Sequence, residues 1–292
     1  MTSQLIFNGL MLGAVFSLVA LGLVLIFSVM NVVNFAHGEF YTMGGFMAFF
    51  IFQNLFVKTL GWPHLFSYFI VLLMTMVLIG TVGFVIEKAI MSSFRDDLLM
   101  GMMATIALSI IFSMGMASIF GAGTVQVFHP VPGVMSVLGA RVSRGRMFIM
   151  IMAVFMCGVL TLFIHKSRLG KAMRACMLNP EVAQLQGINY NFISALGFGI
   201  GCALAAVAGL LVVPSCSLNP FVGGGYLMKS FIIVIIGGLG SLPGTIVAGF
   251  ILGFFESFGS FYFGQPVVIL LSFVLIIVML IVRPQGLMGR AE

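Results

Sequence analysis

At 292 residues, 61% hydrophobic and only 7% charged, the chain is excluded from the soluble globular class, whose domains carry roughly 25% charged residues. Its runs between charges hold about eight windows of spanning length, without the short alternating strands of a membrane barrel. The net charge of +6 comes from Lys/Arg clusters between those windows, so it reports membrane topology and not a nucleic-acid partner. The expected fold class is all-α: a polytopic membrane helical bundle of about eight transmembrane segments, a single transmembrane domain over 1–292.

The N-terminus, MTSQLIFNGL, lacks a basic region, so no cleaved signal is read and residues 5–30 stay as the first span. Gly9 and Gly13 lie four apart, a small-xxx-small face for a close helix partner. Residues 31–50 then place two asparagines, a histidine, a glutamate and three glycines between apolar runs. Such groups are costly to bury alone, so Asn34, His37 and Glu39 should face the protein interior or an interface. Spans follow at 66–86 and 98–120, joined by a short polar loop with Glu87, Lys88, Arg95, Asp96 and Asp97. Residues 121–146, rich in Pro, Gly and β-branched side chains, read as an extracytoplasmic loop with a small hairpin.

A span at 147–164 leads into the longest polar stretch, 165–190, where Lys166, Arg168, Lys171 and Arg174 fall together. The positive-inside rule makes this loop cytoplasmic. Pro180 suits the first position of a short helix with Asn179 as its N-cap and Gly187 as its stop, predicting a surface helix over 180–186. It is a docking element or simply a loop helix. Residues 192–213 span back, with Gly197 and Gly201 again four apart, and 214–225 read as an external loop.

Residues 231–255 carry no charge and are long enough to cross a bilayer, yet Gly237, Gly238, Gly240, Ser241, Pro243 and Gly244 interrupt them. Glycine and proline destabilise a helix interior, and unwound backbone at membrane depth survives only under protein or beside a water-filled cavity. A broken helix near the C-terminus is thus a transporter-like feature lining an interior path, with a kink made for packing as the competing reading. The last span is 267–282, and Arg283 and Arg290 place the C-terminus inside. An even number of crossings from the 166–174 loop then requires that 230–255 enter and return, or form two short helices meeting at the break. The basic Arg141, Arg144 and Arg146 would lie outside, against the charge rule unless they meet a partner's acidic surface.

No Walker A pattern surrounds Gly170-Lys171, and HExxH, CxxC pairs and paired catalytic carboxylates do not occur. Cys157, Cys176, Cys202 and Cys216 have no metal spacing and suggest no disulfide framework. His37 and Glu39, two apart, point in different directions on a helix, and Ser241 lacks the G-x-S-x-G context. No catalytic residue, metal or cofactor is assigned. Ion-coupled carriers place carboxylates inside spans; here only Glu39 and Glu256 are candidates, and Glu256 reads as a span end. A secondary carrier or channel is the main rival reading and a membrane enzyme a distant one, since energy for uphill transport is more plausibly imported through a cytoplasmic partner.

Three motifs, VNFAHGEFYTMGGF (33–46), SRLGKAMRACMLNPEVAQLQGIN (167–189) and GGLGSLPGTIVAGFILG (237–253), resemble the permease subunits of branched-chain amino acid ABC importers of the LivH type. The similarity runs in order over essentially the whole chain; urea and short-chain amide importers share the motifs. The resemblance implies a multi-pass permease of the bacterial inner membrane, paired with a homologous second permease, two cytoplasmic ATPases and a periplasmic binding protein. It implies that the 172–187 loop couples to an ATPase groove, with Arg168, Gly170, Arg174, Ala175, Asn179, Pro180, Glu181, Ala183 and Gly187 as coupling residues. Arg141, Arg144 and Arg146 are then read as docking the binding protein. Asn34, His37, Glu39 and the glycine-proline break are read as path or gate.

Overall fold

The computed structural model describes residues 2–289, apart from 62, 63, 96, 128, 138 and 139; Asp96 and Arg290 lie outside the described residues. It is a multi-pass membrane protein, a helical bundle in which, among the described residues, eight helices are long and apolar enough to cross a bilayer. α1 (Thr2–Met30) is apolar on every face and buried through its C-terminal two thirds, as a helix without a polar side must be. A six-residue non-helical segment leads to α2 (His37–Met47), continued as a π-helical stretch Ala48–Leu60. α3 (His64–Ala89) and α4 (Leu98–Phe120) complete the first half. The β-hairpin β1 (Val134–Val137) and β2 (Ala140–Ser143) precedes α5 (Arg144–Lys166), α6 (Arg168–Leu178) and α7 (Pro180–Leu185). α8 (Tyr190–Val212), α9 (Gly223–Gly237), α10 (Leu242–Phe263) and α11 (Gln265–Val282) form the second half.

The two halves run in opposite senses. α1 and α8 run antiparallel, with Val29 against Gly197 and Gly22 against Gly201. Each is followed by a non-helical segment that carries an asparagine turn. The Asn34 side-chain oxygen accepts from the Ala36 N–H at 3.0 Å, and that of Asn219 from the Phe221 N–H at 2.9 Å. These turns let α2 and α9 start in the bundle interior, where Gly38 and Gly223 touch backbone to backbone; a Cβ on either would run into the other's carbonyl. From there α2 climbs to the hairpin end and α9 descends to the end carrying α6 and α7. Tyr41 and Tyr226, equivalent positions, stack at 3.9 Å between ring centroids. Close packing repeats the relation. Gly9 and Gly13 admit Phe254 and Phe250 of α10, as Gly83 of α3 admits Cys202 of α8.

Several sequence expectations are corrected. The break at 237–244 does not interrupt one span in mid-membrane: it is a turn joining α9 to α10, and the second helix is full length, not short. A purely local hydropathy count cannot tell a kinked helix from two helices end to end. The 214–225 stretch is external only at its start; it descends beside Val125 and Gly45, and Gly223–Gly225 already belong to α9. The hairpin loop ends at Ser143, so Arg144 and Arg146 sit in the first turn of α5. The 165–190 stretch holds two helices, because Ser167 caps α6 by accepting the Gly170 N–H at 2.8 Å.

Candidate functional site

Three regions hold the predicted residues, and the fold keeps them apart. The first is the meeting point of the halves. Asn34, His37 and Glu39 are all buried there. The His37 ring donates through Nε2 to the Val19 carbonyl at 3.0 Å, while Glu39 Oε1 accepts from Ser109 Oγ at 3.2 Å. The two side chains thus diverge toward α1 and α4. Asn34 Nδ2, His37 Nδ1 and Glu39 Oε2 are buried without a hydrogen-bond partner among the described residues. Unsatisfied buried polar atoms are expensive, and three of them fall within six residues here.

The second region is the end with α6 and α7. The turn between α9 and α10 lies here, level with Ser28 in the last turn of α1. Gly238 and Gly240 adopt φ of 102° and 85°, a left-handed region that other residues enter at a cost. Ser241 caps α10 by accepting the Gly244 N–H at 3.2 Å, Pro243 occupies its first turn, and Gly237 packs on the Gly244 backbone. The chain after α11 folds back to satisfy the end of α9: the Leu287 and Met288 N–H groups donate to Ile236 and Gly237 carbonyls at 2.8 and 3.1 Å. A helix end leaves such carbonyls orphaned.

In α7, Asn179 Oδ1 accepts the Val182 N–H at 3.0 Å, Pro180 holds the first position and Gly187, at φ 82°, ends the turn. Gly170, Met173 and Cys176 turn α6 inward, and Ala183 does the same for α7. Arg168, Pro180 and Glu181 are exposed, while Arg174 and Ala175 are half-buried, Arg174 reaching the His165 carbonyl at 3.4 Å. Outward face Leu178, Val182 and Leu185, the last 87% exposed. Sequence reasoning missed this apolar face. It also missed an adjoining network: the buried Glu87 carboxylate pairs with Arg95 and accepts from Ser194 Oγ at 2.8 Å, and Arg95 lies over the Tyr190 ring. In the sequence Glu87 and Arg95 stand only as charges of a short polar loop.

At the opposite end, Arg141, Arg144 and Arg146 are exposed. Arg141 and Arg146 border a cavity of about 450 Å³ with Gln4, Asn8, His129 and Ser215; Arg144 stays outside it. Arg146 Nη1 donates to Asn8 Oδ1 at 3.1 Å. Burial, and secondarily the Arg146 charge, hold the His129 imidazole below its ordinary pKa of 6.5. Among the described residues no group of His, Cys, Asp or Glu could hold a metal ion.

The family model for the permease component of branched-chain amino acid transport systems matches residues 5–283. The chain is 33% identical to the high-affinity branched-chain amino acid transport system permease protein LivH of Escherichia coli strain K12, over 99% of its length and 96% of that protein's. It is 32% identical to the corresponding BraD protein of Pseudomonas aeruginosa, over 99% and 96%. A probable branched-chain amino acid transport permease of Methanocaldococcus jannaschii is 27% identical, over 93% and 88%. No solved structure matches.

Proposed function

The chain belongs to the branched-chain amino acid transport permease family, and from that premise we propose that it is the membrane subunit of an ABC importer. It passes hydrophobic amino acids, delivered by a periplasmic binding protein, across the bacterial inner membrane beside a second permease. Two cytoplasmic ATPases drive the cycle. The observation that carries this reading is the α6–α7 surface, an apolar patch of Leu178, Val182 and Leu185 among basic residues. Exposed apolar side chains on a helix outside the spans call for a protein partner. ATPase closure moves these helices, and α8, which follows α7 directly, carries the motion to the meeting point of the halves. The turn at Gly238–Ser241 serves as the hinge between α9 and α10, and the hairpin end with its arginines receives the binding protein.

Reconstitution in vesicles tests this. The permease pair without ATPases should accumulate no leucine, and the complete importer should accumulate it on addition of ATP. The pair Glu181→Lys with Arg174→Glu should lower that uptake about tenfold, with membrane insertion unchanged. Accumulation by the permease without nucleotide would sink the reading in favour of a secondary carrier.

A further inference from the structure

We propose that Lys229 and Glu256 form a subsite for the charged headgroup of a free amino acid; the inference rests on the transport reading above and narrows its substrate class. Lys229 is the sole charged residue between Glu181 and Glu256. It projects from α9, and its Nζ lies 2.6 Å from Glu256 Oε1 on α10. Gln265 Nε2, at the start of α11, donates to the same oxygen at 2.7 Å. Glu256 is not a span end, as its sequence position suggested, but lies about two thirds along α10.

Charged side chains inside spanning helices are costly and tend to line solute paths. Stability alone is a weak reason to keep this pair, since apolar residues of similar size often replace a buried ion pair without loss. The pair is also within reach: the lysine side chain is 26% exposed and the glutamate 9%. Beside it α9 presents an exposed face of Gly224, Gly225 and Met228, with open space in front of both glycines. The Lys229 ammonium sits over the Phe16 and Tyr226 rings, 4.7 and 5.7 Å from their centroids, so the charges adjoin an apolar wall.

A zwitterion suits this arrangement. Its carboxylate takes Lys229 and the Gln265 amide, its ammonium takes Glu256, and its aliphatic side chain lies on Tyr226 and Met228. The four charges sum to zero, so entry of the zwitterion buries no uncompensated charge. A lone carboxylic acid or amine would leave one. Urea and neutral amides have no use for the pair. The subsite therefore selects free amino acids among the solutes that permeases of this kind could carry.

The test uses the whole importer in proteoliposomes, with leucine as the probe and ATP hydrolysis as the measure of assembly. Lys229→Met, Glu256→Gln and the double variant Lys229→Met/Glu256→Met should each lower leucine uptake about tenfold or more, with binding-protein-stimulated ATP hydrolysis preserved. Uptake by the double variant close to wild type would overturn the subsite and leave a structural ion pair. So would parallel loss of uptake and hydrolysis in all three. If the wild-type importer itself carries no leucine, the transport reading fails at that earlier step.

Discussion

The half built from α1–α4 and the half built from α8–α11 trace the same course in opposite directions, yet they treat their polar groups differently. In the first half, the segment after α1 delivers Asn34, His37 and Glu39 into a sealed interior, each with one atom left unpartnered. In the second, the equivalent segment delivers Gly223, Gly224 and Gly225, and the face beyond them is open. The charged residue there, Lys229, meets the Glu256 carboxylate, which also accepts from the Gln265 amide. Close backbone packing at Gly38 and Gly223 is common to both halves, so the difference lies in side chains alone.

The largest effect is expected where the halves share structure. Gly38→Ala and Gly223→Ala should each destabilise by about 3 kcal/mol, since neither backbone can move without the other. Gly225→Ala, facing open space, should stay within about 0.5 kcal/mol. Thermal unfolding in detergent would measure all three; unequal losses at the two contact glycines would break the symmetry. Next come the turns that follow α9 and the π-helical continuation of α2. Gly238→Leu puts a side chain on a positive φ and collides with the tail backbone at Gln285 and Gly289, for an expected loss of about 2–3 kcal/mol. Gly61→Leu meets the same φ restriction with nothing nearby, and should lose only about 1 kcal/mol. Equal melting shifts would mean that the tail clasp contributes nothing. The smallest contrast concerns the two carboxylates. Ser109→Ala removes the hydroxyl on Glu39 and should cost about 1–2 kcal/mol. Gln265→Ala leaves Glu256 still paired to Lys229 and should cost about half as much. The reverse order in unfolding midpoints would show that Glu39 is not the less satisfied group.

Much of this was legible in advance where the cause is local. The short helix of α7 followed from Asn179, Pro180 and Gly187, because capping depends on adjacent residues only. The burial of Asn34, His37 and Glu39 followed from the cost of placing them in lipid. Other features were present and overlooked. Ser167 capping a helix with inward residues every third position marks α6, but the basic cluster there has the composition of a loop. The pattern N-x-x-x-G-x-x-Y occurs at Asn34 and again at Asn219, and noticing it would have paired Gly38 with Gly223 and Tyr41 with Tyr226.

Composition and capping by themselves determined that the chain is a membrane helical bundle, roughly where its spans lie and where its surface helix begins. Those properties arise from transfer of each residue out of water and from hydrogen bonds between near neighbours. Only the tertiary structure decided that two helices start in the interior, that the glycine-proline break is a turn at one end, and that Lys229 finds Glu256. Each of these depends on segments distant in the chain coming into register, and hydropathy, read one window at a time, carries no record of which helix lies against which.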